Sequence, residues 1–329
     1  MDTLVSVGIT GVGGYAPPGV LTNHDLEQMV ETSDEWIRTR SGISNRHIAD
    51  AATATSDIAL PAARQALERA GLAPDALDIV VMATFTPDYL LPATACTIQH
   101  ALGATRAAAF DLAAACSGFI YAINVIAPSI ATGQFRNALV IGADTLSKVT
   151  DYTDRSTCVL FGDGAGAAVL QPVPAGRGLL ASYLRADGGG CEMLYIPGGM
   201  TRKPASHETV DARDHYVKMS GNEVFRFAVR ALEEAVLEAL SRAGLTAADV
   251  DLIVPHQANI RIIDGAAKRL GIPEDRWVIN LHEYGNTSGG SIPLALNDAY
   301  EQGRLHEGDV VVFVAFGGGL TWGASVLRW

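Results

Sequence analysis

The 329-residue chain carries 24 Lys and Arg against 36 Asp and Glu, a formal net charge of −12, with 48% apolar and only 18% charged residues. That length buries a large core and suits two domains or two halves of one, the low charge excludes a disordered chain, and the acidic balance excludes a general nucleic-acid binder, which needs clustered Lys and Arg. Four cysteines, at 96, 116, 158 and 191, form no C-x-x-C pair and lie near no His cluster, which argues against structural zinc and against a disulfide framework.

The chain opens on "MDTLVSVGITGVGG", with Asp2 and no basic segment, so no secretory signal is expected. "GVGGYA" at 11–16 fits a degenerate dinucleotide fingerprint, but Pro17, Pro18 and Gly19 stand where the phosphate-binding helix has to begin, and NAD binding is rejected. An amphipathic helix over 56–72 leads into a strand at 78–84, the start of an alternation that points to an α/β fold with buried sheet. Residues 107–124, "AAAFDLAAACSGFIYAIN", read as a buried strand, small residues, Cys116 and an apolar helix. A lone cysteine is most often a small buried hydrophobe. At a strand-to-helix junction, however, unpaired N–H groups and the helix dipole favour a thiolate, and Ala113, Ala114, Ala115, Ser117 and Gly118 leave room for a substrate. "GDGAGAA" at 162–168 lacks both the dinucleotide spacing and a P-loop lysine, so close packing accounts for its glycines.

The chain repeats itself. "RAGLAPDALDIVV" at 69–81 returns as "RAGLTAADVDLIV" at 242–254, six identities in thirteen at an offset of 173 from Arg69 to Arg242. The same offset sets Cys116 opposite Gly289 and Ala83 opposite His256. Two α/β halves packed about a pseudo-dyad bring equivalent strand ends and helix starts to one place, where such folds bind ligands. Cys116, His256 of "VPHQANIRII" and the "GNTSGGS" loop at 285–291 are expected to meet there. Taken singly, His256 reads as a structural histidine and Asn286 as a turn residue; together with a low-pKa thiol they form an acyl-transfer set. "AFGGGLTWG" at 315–323 offers backbone N–H groups to an oxyanion. The apolar run "VVVFVAFGGGL" is too short for a membrane span, and a soluble cytoplasmic protein is expected.

"TSDEWIRTRSGI", "FDLAAACSGF", "TDRSTCVLFGDGAGAAVL", "SGNEVFRFAV", "VPHQANIRII", "GNTSGGSIPLAL" and "AFGGGLTWG", in that order from Gly11 to Trp329, closely resemble β-ketoacyl-acyl carrier protein synthase III, the thiolase-fold family that starts type II fatty acid synthesis. The resemblance implies two duplicated α/β halves layered αβαβα, 1–172 with the nucleophile and 173–329 with His256, Asn286 and the Gly-rich loop. It implies that Cys116 takes an acyl group from acyl-CoA, with the N–H groups of Cys116 and Gly318 as oxyanion hole. Neutral His256 and Asn286 then hold the enolate from malonyl-acyl carrier protein. Trp36 and Arg155 would sandwich adenine, Thr32 and Arg40 contact the nucleotide end, and Asn222 and Asn259 bond to the pantetheine arm. The primer pocket would include Phe316 and, in a homodimer, Leu91 of the partner subunit; acyl-CoA is a substrate, and no cofactor or metal is expected. The acidic carrier needs a basic patch, and Arg261, Lys268 and Arg269, seven and eight residues apart on one helix face, supply it with Arg226. A condensing enzyme of secondary metabolism, a non-catalytic acyl-binding member and a cysteine hydrolase are the alternatives. The intact Cys116, His256, Asn286 and Gly318 speak against the second, and the apolar surroundings of Cys116 against the third.

Overall fold

The computed structural model describes residues 4–329; Asp2 lies outside them. Two sheets organise the chain. The first runs in the order Ser6–Tyr15, Asp163–Val173, Ala138–Thr145, Ile79–Ala83, Ala108–Leu112, antiparallel across two junctions and parallel across the next two. The second runs Gly178–Ala186, Thr321–Arg328, Val310–Gly317, Leu252–Pro255 with the same succession of directions. A parallel bridge from Ile253 to Trp277 marks its fifth place. The repeated segment matches in detail. Helices Thr55–Arg69 and Gly221–Ala243 give way to Gly71 and Gly244, at φ 61° and 70°, and 3-10 turns Pro74–Ala76 and Ala247–Asp249 follow.

Pleating assigns the layers, because successive side chains of a strand face opposite sides. Ile79, Val81 and Ala83 face the middle of the molecule, as do Val311, Phe313 and Ala315 of the second sheet. Between them lie helices Gly118–Ala131 and Ser291–Glu301. Val80 and Met82 pack outward on Thr55–Arg69 and Thr94–Leu102, while Val310, Val312 and Val314 pack outward on Gly221–Ala243 and Ile260–Leu270. The result is five layers, αβαβα, with both faces of each sheet covered, so the strands read as apolar runs rather than alternations. The glycine motifs serve close packing: a Cβ on Gly13 would stand 2.1 Å from the Ala62 carbonyl oxygen, and one on Gly166 2.5 Å from the Leu294 nitrogen. Among the described residues no helix is long and apolar enough to cross a membrane.

Candidate active site

The Cys116 turn sits where the halves meet. After strand Ala108–Leu112, Ala115 takes φ 45°, left-handed for a residue with a Cβ, and Cys116 occupies the 3-10 turn Ala115–Ser117 ahead of helix Gly118–Ala131. Such a conformation costs about 1–3 kcal/mol and persists where its surroundings over-determine it. Here the second half does so: Ser117 Oγ donates to Thr321 O at 3.0 Å, and Thr321 Oγ1 donates to Ala114 O at 3.1 Å. A Cβ on Gly317 would stand 2.8 Å from the Cys116 nitrogen, so the strand leading to Gly318 lies directly on that amide. The pseudo-symmetric turn Ser288–Gly290 repeats the conformation, with Ser288 at φ 49°.

His256 follows strand Leu252–Pro255, 2% exposed, its N–H donating to Val314 O at 2.8 Å and its ring edge-on to Phe316 at 5.6 Å. Gln257 braces it from behind, its amide donating to Pro255 O and Val278 O and accepting from the Asn280 and Leu281 N–H groups. The backbone of Asn286 is pinned on both sides, N–H to Leu160 O and C=O from Gly162 N. Its Oδ1 accepts from Ser288 N at 2.9 Å, which leaves the amide nitrogen as the free donor.

Burial pushes His256 from its ordinary 6.5 down to about 3. The unfolded chain therefore binds a proton between those values that the folded chain refuses, and stability falls as pH drops through that window, by about 1.4 kcal/mol per pH unit for one group. Urea titrations between pH 7 and 4 are expected to show His256→Gln lacking that part of the slope; equal slopes would remove His256 as its source.

Burial also pushes the Cys116 thiol up to about 12, with a nearby Asp144 carboxylate adding to the rise and the Ser288 hydroxyl opposing it. This corrects the expectation of a low-pKa thiol. Among the described residues no cation offsets the burial, which favours the neutral form of both the thiol and the imidazole. Ser288 Oγ, itself buried, makes no hydrogen bond of full geometry among the described residues.

Cys116 lines two cavities at once. One, of about 370 Å³, is walled by Trp36, Arg40, Asn222, His256, Asn259 and Asn286, and the other, of about 180 Å³, is walled by Phe85, Leu146, Leu194, Ile196 and Val217 with Gly318. A thiol between a polar-mouthed channel and an apolar chamber is placed to receive an acyl group whose carrier fills the first and whose tail fills the second. Phe316, expected in the primer pocket, lines the channel instead. The cause is register: even-numbered residues of Val310–Gly317 face the outer core, and Phe316 follows them. Leu91 is 86% exposed on the loop after strand Ile79–Ala83.

Comparison with known proteins agrees with this geometry. Residues 110–188 match the family model for 3-oxoacyl-[acyl-carrier-protein (ACP)] synthase III, and 240–329 match its C-terminal companion. A beta-ketoacyl-[acyl-carrier-protein] synthase III of Symbiobacterium thermophilum is 58% identical over 323 residues, 98% of each chain. The chain belongs to the β-ketoacyl-[acyl-carrier-protein] synthase III family. The crystal structure of 3-oxoacyl-[acyl-carrier-protein] synthase III from Aquifex aeolicus matches it at TM-score 0.91 and 45% identity, over 98% of this chain and 100% of that one. The priming β-ketosynthase from the R1128 polyketide pathway matches at TM-score 0.92 and 35% identity, over 100% and 97%.

In this synthase III family member the nucleotide-end residues differ in readiness. Arg155 lies 4.9 Å over the Trp36 ring, its Nη1 donating to Glu31 O, so the two expected faces of the adenine site touch each other. Thr32 Oγ1 is buried without a partner among the described residues, and Arg40 and Asn222 line the channel. Asn259 lines the channel as well; its Oδ1 accepts from Arg261 N and caps helix Ile260–Leu270 and its Nδ2 donates to Arg40 O, which fixes the amide in the wall and leaves its second N–H as a donor for the pantetheine arm that the resemblance assigns to it.

Two groups escaped the sequence reading. Arg46 is fully buried, donates to Leu21 O, Asn23 Oδ1 and Val159 O, and so ties the two-stranded antiparallel sheet Gly19–Thr22 and Asn45–Ile48 to the segment after Arg155. Asp144 is the other, and its signal was available as the one charge in the wholly buried strand Ala138–Thr145.

The basic residues divide. Arg226 and Arg269 wall one groove together with Arg230, whereas Arg261 lines the channel mouth and stacks on Phe225. Arg269 is already paired with Glu233 at 2.5 Å, while Lys268 is exposed. Lys268→Glu is therefore expected to raise KM for malonyl-carrier protein about fivefold at low salt, more than Arg269→Glu does, and to leave KM for acyl-CoA alone. An unchanged KM for the carrier would put docking elsewhere.

Proposed function

We propose that the chain condenses an acyl-CoA primer, acetyl-CoA first, with malonyl-acyl carrier protein, giving 3-oxoacyl-carrier protein, CoA and carbon dioxide, the opening step of type II fatty acid synthesis. The observation that carries the reading is Cys116 at the meeting of the two cavities, with His256 and Asn286 in the wall of the larger. Cys116 Sγ attacks the thioester carbonyl while the N–H groups of Cys116 and Gly318 receive the oxyanion. The intermediate expels CoA, which leaves with the thiol proton, and acyl-Cys116 remains with its tail in the apolar chamber.

The malonyl arm then enters by the same channel. Loss of carbon dioxide leaves an enolate whose oxygen accepts hydrogen bonds from neutral His256 and the Asn286 amide, groups that donate without supplying a labile acid proton. The enolate carbon attacks the acyl carbonyl, and the Cys116 sulfur leaves and takes up a proton. Tyr89, Leu90 and Leu91, exposed in sequence on one loop, support a homodimer in which a second copy covers them. The free-thiol chemistry and both thioester substrates fit the cytoplasm.

Incubation with acetyl-CoA is expected to place one acetyl group on Cys116, seen by intact mass and peptide mapping, that moves only when malonyl-carrier protein is added. An unmodified Cys116 with every acyl-CoA tried overturns the reading; release to water alone makes the protein a hydrolase. The 58% identity to a named synthase III against 35% to the polyketide enzyme favours the fatty acid assignment over secondary metabolism.

A further inference from the structure

The two pseudo-symmetric turns differ in what they bind. In the first half the Cys116 N–H is the group proposed above to receive the oxyanion. Its counterpart in the second half, the Gly289 N–H, is occupied from within: it donates to Asp144 Oδ2 at 3.0 Å. The other oxygen of that carboxylate accepts from Thr84 Oγ1 at 2.9 Å, Phe85 N at 3.0 Å, and Thr86 N and Oγ1 at 3.1 and 2.9 Å. Asp144 has no accessible surface and no basic partner among the described residues, so donors from two segments, 84–86 and Gly289, hold it in place of a cation. It joins the loop after strand Ile79–Ala83, the end of strand Ala138–Thr145 and the turn Ser288–Gly290.

That last turn is the one that aims Asn286. Ser288 N holds Asn286 Oδ1, and Ser288 is the left-handed residue directly before Gly289. We infer that Asp144 is a positioning residue for the condensation half of the reaction: by filling the second half's anion-binding turn, its carboxylate fixes the loop that presents the Asn286 amide to the enolate. The inference rests on the role proposed above for Asn286. It separates the two halves of the reaction, because the hydrogen bonds that hold the Cys116 turn come from Thr321, and the Asp144 charge acts on the thiol only to raise it, so that neutralising Asp144 is not expected to slow acetylation.

Asp144→Asn keeps the shape but replaces one accepting oxygen by a donor facing donors. The acetylation rate of Cys116 and the release of carbon dioxide from malonyl-carrier protein are measured separately, alone and in an Asn286→Ala background. The expected result is a loss of about tenfold or more in decarboxylation, acetylation within about threefold of the parent, and no further loss when Asn286 is already absent. Equal losses in both halves, no loss in either, or a full additional loss in the Asn286→Ala background would overturn the inference. If Asp144→Asn does not fold, Thr84→Val removes a single donor to the same carboxylate and is expected to lower decarboxylation alone, about threefold; an equal fall in acetylation would count against it. An Asn286→Ala variant with undiminished decarboxylation would instead sink the role of Asn286, and this inference with it.

Discussion

Cys116→Ala is expected to lose condensation by a factor on the order of 10⁴ or more, since removal of a nucleophile leaves only binding and oxyanion stabilisation. No second thiol lines either cavity. The variant keeps His256 and Asn286, so it is expected to go on releasing carbon dioxide from malonyl-carrier protein while making no 3-oxo product. The measurement pairs product analysis with intact mass after exposure to acetyl-CoA, where no adduct should form. Condensation retained at roughly a hundredth of the parent or better would show that acyl transfer does not pass through this sulfur.

The second large effect is structural. A Cβ added to Gly142 would stand 2.1 Å from the Gly289 oxygen and 2.9 Å from its carbonyl carbon. Both are backbone atoms of the turn after Asn286, so no side chain can step aside, and the strand end and the turn have to part. Gly142→Ala is expected to cost about 3 kcal/mol of stability and most of the activity, because the displaced turn holds the Asn286 amide. Gly188→Ala, where nothing lies within 4 Å, is the control and should change stability by less than about 0.5 kcal/mol. A Gly142→Ala variant as stable and active as its parent would mean that the two halves are not in contact there.

Much of this was legible in the chain because the fold is duplicated. One repeated helix-turn-strand joint sets an offset, and that offset alone places the Ser288–Gly290 turn opposite Cys116. The glycines of "GDGAGAA" read as places of close packing, and a Cβ on Gly162 or Gly166 would indeed stand 2.3 Å from the Tyr284 oxygen or 2.5 Å from the Leu294 nitrogen. What was not legible depended on burial and on competition for hydrogen bonds. The thiol's position at a helix start suggested a thiolate, but dipole and amide contributions of this kind do not offset the loss of water around a buried sulfur. The sequence does not show that Asn259 is held in place by Arg40 and Arg261 before any ligand arrives. Phe316 lines the larger cavity because strand register, invisible in a run apolar on both faces, decides which way it points.

Were Trp36 to take the adenine of CoA, as the resemblance implies, its contact with Arg155 would make nucleotide recognition an exchange on the indole face. A base that settles on the indole has to evict a guanidinium already there, so the net gain is the difference between two stacking energies of about 1 kcal/mol each. The evicted group remains tethered nearby, a competitor that dilution cannot remove. In the proposed reaction CoA and the carrier's arm use one channel in turn, and a first product held too firmly would obstruct the second substrate. A wall that reclaims its own aromatic surface shortens the stay of the spent nucleotide, while the acyl group, held by a covalent bond, is indifferent to its departure.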